Sequence, residues 1–331
     1  MAFDGRTEHP RYWAQSPEAC ALWRGESSKA VHLRDWLCRI AGSSCNVLIT
    51  GETGTGKEVA AGFIHEASKR RSCPIVAINC AALPETLLES ELFGFEKGAF
   101  TGAAAKHEGR IWEANGGTLF LVEIVEMSLT AQAKILRVIE TRELHRLGGR
   151  GSLPVNVRIV AATNQDLNNL VLQGKFRIDL LYRLKVAQVI LPPLRERRED
   201  IAVLARYFLS KLGAEMDRPP LHFSAEALAA MEAYDFPGNA RELRNAVETS
   251  LLSEPYPSIE IEHLPEQIAG SCGHRQIDDR SKIIEVLQVT NWNKSEAAKQ
   301  LHWSRMTLYR KMALYCISDR EQKAGRSRQA G

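Results

Sequence analysis

The segment Gly51–Glu58, GETGTGKE, constrains the fold of this chain more than any other stretch. It follows an apolar run, Asn46–Thr50, with the length and β-branched content of a buried strand, and it precedes a helical pattern over Val59–Lys69. A strand, a glycine-rich turn, a lysine and a helix form a P-loop, in which backbone N–H groups and a helix N-terminus surround a phosphate. The sequence therefore predicts an α/β domain that binds a phosphate-bearing ligand.

The residues of this loop have distinct expected roles. Lys57 would reach the β- and γ-phosphates, and Glu58 stands where the general pattern has the Ser or Thr that binds magnesium. A glycine-rich turn without a ligand is the alternative, but the strand and helix on either side favour a P-loop. The candidate ligand-binding residues are Gly51, Glu52, Thr53, Gly54, Thr55, Gly56, Lys57 and Glu58.

The composition is that of a globular protein with a basic end. The 331 residues suffice for two or three domains, and 44% of them are hydrophobic and 25% charged. The net charge is only +3, yet residues 275–331 carry 12 Lys and Arg against 6 Asp and Glu. Such a basic segment on a nearly neutral body indicates a separate anion-binding module.

Cysteine usage and hydropathy indicate the compartment. There are seven cysteines, an odd number with no C-x-x-C pair, which favours reduced thiols over disulfides or zinc ligands. The N-terminus lacks a signal-peptide core, and no apolar run approaches the roughly 18 residues that span a membrane. We therefore expect a cytoplasmic protein without a membrane partner.

Four further strands are predicted, at Pro74–Asn79, Gly116–Glu123, Val155–Ala162 and Val186–Leu191. The second of them, GGTLFLVE, lies where P-loop ATPases carry two acids: an Asp that helps to hold magnesium and a Glu that polarises the attacking water. Here Val122 takes the first position and only Glu123 remains. An ordinary core strand is the alternative, but the spacing after the P-loop favours the catalytic interpretation.

Three polar side chains near later strands are candidates for phosphate sensing. Asn164 follows a strand that would end beside the ligand crevice, although a turn residue that starts the next helix is equally consistent. Arg177 and Arg183 of FRIDLLYRL are either solvated surface charges or groups that reach the phosphate of a neighbouring subunit.

The stretch Phe95–Ala103, FEKGAFTGA, interrupts the helical pattern that starts near Pro84. Its internal glycines disfavour a helix, so we expect a projecting loop with an exposed Phe100 beside Thr101. Local chemistry alone favours an ordinary hairpin turn over a functional loop.

The second half of the chain is predicted to be helical. Helices are expected over Glu199–Leu212, Ser224–Ala233 and Asn239–Ser253, and then over Arg280–Thr290, Lys294–Leu301 and Ser304–Leu314. The last two have helix-turn-helix spacing, and the local charge favours DNA binding over a merely solvated helix. The candidate DNA-contacting residues are Ser304, Arg305, Thr307, Tyr309, Arg310 and Lys311.

Six segments together resemble one known family: GETGTGKE, ELFGFEKGAFTGA, GGTLFLVEI, FRIDLLYRL, LPPLRER and FPGNARELRN. They are similar to the signature segments of bacterial enhancer-binding proteins, the sigma-54-dependent transcriptional activators, which are AAA+ ATPases. The resemblance extends from Gly25 through a Fis-type helix-turn-helix. GAFTGA is nearly private to this family, so the resemblance replaces the hairpin-turn interpretation.

The resemblance implies a fold and a domain order. The fold class is an α/β AAA+ P-loop αβα sandwich with a small helical lid, followed by an all-α Fis-type helix-turn-helix domain. The expected bounds are a leader over residues 1–24, the ATPase subdomain over 25–194, the lid over 195–265, a linker over 266–276, the DNA-binding domain over 277–318 and a basic tail over 319–331.

The resemblance also implies roles for residues at matching positions. Asn79 would be the switch residue that holds Glu123, Thr163 and Asn164 would form sensor I, and Arg241 would be sensor II. Arg177 and Arg183 would act in trans as arginine fingers across a hexamer. The loop that touches sigma-54 would comprise Gly98, Ala99, Phe100, Thr101, Gly102 and Ala103.

The cofactors implied are ATP and Mg²⁺. The partners implied are the sigma-54 RNA polymerase holoenzyme, enhancer DNA, and further copies of the chain in a hexameric ring or a homologous co-activator. The segment before Gly25 is too short for a receiver or ligand-sensing domain, so we expect a stand-alone member that a partner protein or its expression level controls.

Val122 leaves two functional hypotheses open. A working activator is supported by GAFTGA, the two finger arginines and Glu123. A DNA-binding regulator with weak or absent ATPase activity, acting as a repressor or as one subunit of a hetero-oligomer, is supported by Val122, because a valine side chain cannot ligate a cation.

Overall fold

A computed structural model describes residues 23–101, 103–253 and 257–270, and further along the chain residues 283–284, 286–287, 290, 292–301, 308–309, 312 and 317. The chain divides into two compact units. The first comprises Met1–Tyr207 and Phe236–Asn245, and the second Phe208–Asp235 and Ala246–Gly331.

The first unit is built on a parallel sheet. Its strands in chain order are β1 (Val47–Thr50), β2 (Ile75–Asn79), β3 (Thr118–Val122), β4 (Glu143–Leu144), β5 (Leu153–Pro154), β6 (Arg158–Thr163) and β7 (Ala187–Ile190). The five longer strands are parallel in the order β2-β3-β6-β1-β7, while β4 and β5 form a separate antiparallel pair. All five strands predicted from the sequence are therefore present, and the α/β class is confirmed.

The register brings the carboxyl ends of the strands to one edge. Thr50 pairs with Thr163, and Val122 pairs with Asn79 on one side and with Ala162 on the other. The P-loop, Glu123 and Asn164 directly follow these strand ends. Segments that are far apart in sequence thus meet at the edge where open α/β sheets bind ligands.

Helices cover both faces of the sheet. Those of the first unit are α1 (Ser28–Ala41), α2 (Lys57–Glu66), α3 (Glu85–Phe93), α4 (Arg110–Glu113), α5 (Leu129–Thr141), α6 (Leu167–Leu172) and α7 (Ile178–Leu184). Strand alternation divides the core in two: Leu119 and Leu121 belong to one apolar cluster, whereas Phe120 belongs to the other, against which Val122 also packs. Val59 of α2 lies against this second cluster, so Val122 faces the P-loop helix.

A buried carboxylate anchors the start of α1. Asp200, which is fully buried, accepts hydrogen bonds from the N–H groups of Glu26 (2.7 Å) and Ser27 (2.8 Å) and from the Ser27 hydroxyl (2.8 Å). The Ser27 Oγ atom in turn accepts from the N–H of Ala30 and caps the helix. Three hydrogen bonds offset the cost of burying the Asp200 charge.

The remaining helices are α8 (Glu199–Glu215), α9 (Ala225–Ala233), α10 (Asn239–Leu252) and α11 (Lys294–Gln300). Each lies within a turn of the bounds that the sequence predicts. In the second unit, β8 (His222–Phe223) and β9 (Ser258–Ile259) form a short parallel pair. Near the C-terminus, Ala297 and Ala298 of α11 are buried in a small apolar cluster with Ile283, Leu287, Leu308, Met312 and Ile317.

Some predictions fall outside the described residues. These concern most of the leader (residues 1–22), residues 271–276 of the linker, the tail (residues 319–331), Gly102, and five of the candidate DNA-contacting residues: Ser304, Arg305, Thr307, Arg310 and Lys311. The described part of the chain contains no helix with both the length and the hydrophobicity to cross a membrane.

Candidate functional site

The P-loop joins β1 to α2 through two glycines with positive φ. Gly54 has φ +78° and Gly56 has φ +100°, conformations that L side chains rarely adopt. At Gly54 a Cβ atom would also lie 2.1 Å from the carbonyl oxygen of Gly238. The loop therefore packs directly on the turn that precedes α10, and only glycine fits at its closest point.

Three consecutive carbonyl groups of the loop bind donors from outside it. The oxygen of Thr53 accepts from Asn239 Nδ2 (3.0 Å), that of Gly54 from the N–H of Ala240 (3.0 Å), and that of Thr55 from Arg197 Nη2 (3.1 Å). A trans peptide holds its C=O opposite to the next N–H. These contacts therefore turn the following N–H groups toward the other side of the loop, as a phosphate cradle requires.

Asn239 is central to this arrangement. It is fully buried at φ +54°, donates to the Glu52 carboxylate as well as to Thr53, and accepts from the N–H of Leu194 (2.7 Å) through Oδ1. Arg195 pairs with both oxygens of Glu52 at 2.6 and 2.8 Å, and this hydrogen bonding lowers the pKa of Glu52 to about 2. The Glu52–Arg195 ion pair therefore persists throughout the physiological pH range.

Four predicted residues converge on the inner side of the loop. Lys57 Nζ donates to the carbonyl oxygens of Gly51 (2.9 Å) and Glu52 (3.3 Å), and it lies 3.6 Å from Glu123 Oε1. The backbone N–H of Asn164 donates to Glu123 Oε2 (3.2 Å), and Asn164 Nδ2 donates to Thr53 Oγ1 (3.1 Å).

Opposing effects act on the pKa of Lys57. Burial lowers the pKa of Lys57, and the positive charge of Arg241 lowers it slightly further, whereas the Glu123 carboxylate raises it. Arg241 lies in the first turn of α10 and packs beside the loop, since its Cβ atom would lie 3.1 Å from a Cβ atom built on Gly54. The arrangement can hold a polyphosphate with Glu123 beside it, where a carboxylate can polarise a water molecule.

Asn79 and the two finger candidates have other partners. The strand register places Asn79 beside Val122, the residue before Glu123, but the hydrogen bond of its side chain is accepted from the N–H of Ala81 (3.0 Å) and not shared with Glu123. Arg177 pairs with Asp179 at 2.7 Å and Arg183 pairs with Glu140 at 3.0 Å. The structure does not bring either arginine to the P-loop of its own chain.

The position of Arg183 explains that separation. Its carbonyl oxygen accepts from Asn46 Nδ2 (3.0 Å), and Asn46 directly precedes β1, whereas the P-loop follows the other end of that strand. At about 3.3 Å per residue, β1 alone spans roughly 13 Å. Arg183 therefore lies at the amino-terminal ends of the strands, opposite to the carboxyl ends that carry the phosphate cradle.

Backbone hydrogen bonds close the loop that contains GAFTGA and attach its ends to neighbouring segments. Phe95 exchanges backbone hydrogen bonds with His107 (3.0 and 2.9 Å), and the N–H of Glu96 donates to the Leu147 carbonyl (3.0 Å). The N–H of Gly98 donates to the Ala103 carbonyl (2.9 Å), which closes the turn. The Phe100 ring is 48% exposed and stacks edge-on against Phe95, and its neighbour Thr101 is exposed, as the sequence predicts.

The oxygen atoms around the phosphate cradle do not form a site at which the protein could ligate a magnesium ion. The usual anchors are a P-loop hydroxyl and a carboxylate at the end of the adjacent strand. Their positions hold Glu58, exposed on the first turn of α2, and Val122, packed on an apolar cluster. Among the described residues no group of three or more His, Cys, Asp or Glu side chains could hold a metal.

The sequence patterns did not place Arg195, Arg197 or Asn239 at the P-loop. LPPLRER and FPGNARELRN point to all three as parts of signature segments, and Asn239 was expected only to begin a helix. Their contacts with the loop join residues about 140 to 190 positions apart, which no local spacing reveals.

The sheet order, the P-loop and the polar residues at the strand ends define a P-loop nucleotide-binding domain of the AAA+ class. Comparison with known families refines that class. Residues 23–190 match the sigma-54 interaction domain, residues 195–279 match the AAA+ ATPase lid domain, and residues 279–315 match the Fis family of bacterial regulatory proteins. The chain belongs to the sigma-54 activator family, as the sequence predicts.

Individual relatives agree with this assignment. The chain is 46% identical over 296 residues to the regulatory protein AtoC of Escherichia coli K12, covering 84% of this chain and 64% of that protein. It is 44% identical over 298 residues to the transcriptional regulatory protein ZraR of Salmonella typhimurium, covering 87% and 68%. The chain therefore spans about two thirds of the length of these relatives.

A solved structure shows the same fold. The crystal structure of NtrX from Brucella abortus in complex with ATP superposes with a TM-score of 0.72 at 31% sequence identity, covering 88% of this chain and 69% of that one.

The contacts of Asn239 lead to a first prediction. Asn239→Gly tolerates the positive φ but removes the hydrogen bonds to Thr53, Glu52 and Leu194. The loop must then order when the ligand binds, so we expect ADP affinity to fall by about tenfold. Isothermal titration calorimetry measures this. Asn245→Gly, an exposed position in the same helix, is the matched control, and equal affinities in both variants would contradict the role of Asn239.

Proposed function

We propose that this chain is a transcriptional activator that binds enhancer DNA and uses ATP to remodel the closed complex of sigma-54 RNA polymerase. The observation that carries the proposal is the pairing of two features in one unit: a phosphate cradle with Lys57, Glu123 and Asn164, and a loop that exposes Phe100 and Thr101. A generic nucleotide-binding domain needs only the first. AtoC is named a regulatory protein, ZraR a transcriptional regulatory protein and HyfR a DNA-binding transcriptional activator, which agrees with this function.

Each part of the site has a proposed role. Lys57 and the N–H groups of the loop hold the phosphates of ATP, and Glu123 orients the attacking water. Asn164, which touches both Glu123 and Thr53, reports the state of the γ-phosphate to both. Mg²⁺ would neutralise phosphate charge when it accompanies ATP.

The edge position of Arg183 supports self-association. An arginine at the far end of β1 reaches a nucleotide only when that nucleotide belongs to another chain. Arg177 and Arg183 are therefore proposed to act in trans, in a hexameric ring of this chain or beside a homologous co-activator. Asn79 is proposed as the switch residue that pairs with Glu123 when the site rearranges. A regulatory partner protein would control assembly.

The proposed domain roles follow the expected bounds. Residues 25–194 hydrolyse ATP, residues 195–265 form the lid, and residues 277–318 bind DNA, with Tyr309, a candidate DNA contact, half-exposed. A second candidate function is a DNA-binding regulator with little ATPase activity, which Val122 favours.

The loop assignment predicts a separable defect. Thr101→Ala removes an exposed hydroxyl and no described packing contact, so ATP and DNA binding should be unchanged. Transcription from a sigma-54-dependent promoter in vitro should fall at least tenfold, because the loop no longer engages sigma-54. Thr130→Ala, at another exposed threonine of the same unit, is the control. Full activity of Thr101→Ala would refute the loop assignment.

A further inference from the structure

The position next to Glu123 is closed to cations by an apolar side chain. Val122 ends β3 between Asn79 on β2 and Ala162 on β6. Its side chain packs on the cluster that holds Ile49, Phe120 and Ala162, against which Val59 of α2 also lies. The face of β3 that points toward the P-loop helix therefore offers no oxygen at its carboxyl end.

The neighbouring oxygen atoms that could ligate a cation already have partners within the protein. The Thr55 hydroxyl donates to the carbonyl oxygen of Glu52 (2.8 Å), while the Glu52 carboxylate binds Arg195 and Asn239. Glu123 faces Lys57 and the N–H of Asn164. Glu58 is the remaining carboxylate of the loop, and its side chain is exposed on the first turn of α2.

The cradle itself supplies much positive charge. Lys57 is buried, Arg241 packs beside Gly54 of the loop, and the N-terminus of α2 adds its dipole. These groups neutralise phosphate charge without a cation that the protein holds.

We propose that this chain binds its nucleotide independently of a protein-anchored magnesium ion, and that it therefore hydrolyses ATP more slowly than a carboxylate at position 122 would allow. This inference rests on the proposed nucleotide binding. The chain would respond to nucleotide occupancy, and rapid hydrolysis would need a carboxylate at position 122.

The test measures nucleotide affinity, not only activity. ADP and the non-hydrolysable analogue AMP-PNP are titrated by calorimetry into the full chain and into Val122→Asp, each in EDTA and in excess magnesium. We expect the affinity of the unmodified chain to change less than about threefold between the two conditions. Val122→Asp should bind at least tenfold more tightly with magnesium, because a carboxylate at this strand end is the missing anchor.

Val122→Asn is the matched control, because it has the size of the Asp variant without the charge, and it should behave like the unmodified chain. Phosphate release at saturating ATP and magnesium should rise on the order of a hundredfold in Val122→Asp, the effect of restoring one such anchor. The comparison within the unmodified chain decides the question even if the Asp variant folds poorly, which a thermal melt of each variant will show.

Two results would overturn the inference, and they differ from each other. Magnesium that tightens binding to the unmodified chain tenfold or more would show that another group anchors the ion, and loss of that effect in Glu58→Gln would identify it. No binding of either nucleotide, with or without magnesium, would refute the proposed nucleotide-binding function itself.

Discussion

Lys57→Ala should abolish measurable binding of ATP and ADP. The ammonium group is buried, bonded to two carbonyl oxygens of the loop, and 3.6 Å from the Glu123 carboxylate. Each hydrogen bond from a charged donor contributes about 1.5–3 kcal/mol. Without the lysine, Glu123 also faces the phosphates with its charge uncompensated, so we expect affinity to fall at least a hundredfold.

Calorimetric titration with ADP measures the loss, and a melt without nucleotide checks that the variant is folded. Lys69→Ala is the matched control, because Lys69 is exposed just beyond the same helix. Unchanged affinity in Lys57→Ala would show that the cradle is not a phosphate site.

Removal of residues 277–331 should eliminate specific enhancer binding. This segment contains the match to the Fis family and most of the basic excess at the end of the chain. Fluorescence anisotropy with a labelled enhancer fragment should show at least a thousandfold weaker binding. The affinity of such proteins for their specific sites exceeds their affinity for non-specific DNA by that factor or more. Oligomerisation and nucleotide binding should persist, since the first unit keeps its own core.

Point variants test which side chains contact DNA phosphates without removing the whole segment. Arg305→Ala, Arg310→Ala and Lys311→Ala should each reduce the slope of log affinity against log salt by about one if the side chain touches a phosphate. Lys323→Ala, in the expected tail, should leave the slope unchanged. A truncated chain that still protects a specific site from nuclease would place DNA recognition elsewhere.

The sequence predicted the sheet because its signals are local. Strand-length apolar runs, a glycine-rich turn and strand-end polar residues each depend on a few neighbouring positions. The sequence could therefore name Lys57, Glu123 and Asn164 as candidates, and the structure brings the three together. The P-loop carbonyl contacts depend on packing between distant segments. A buried asparagine at positive φ leaves no periodic pattern, and Asn239 was therefore recognised only as a helix start.

Side-chain pairing was also beyond the sequence. Glu140 lies 43 positions before Arg183, on a different helix, and nothing in the local sequence indicates that the two would pair. The hydrogen bond between Asn79 and Ala81 was not predictable either, because a strand-end asparagine can bond a nearby backbone group or a neighbouring strand with similar ease.

The separation of Arg183 from the P-loop along β1 has a consequence for how the protein behaves on dilution. If Arg183 completes the site of another molecule, as proposed above, that site exists only in assembled chains, and specific activity would rise steeply with protein concentration and vanish in dilute solution. The cell could then set output through the number of chains it makes. A modest change in synthesis would produce a much larger change in the population of completed sites.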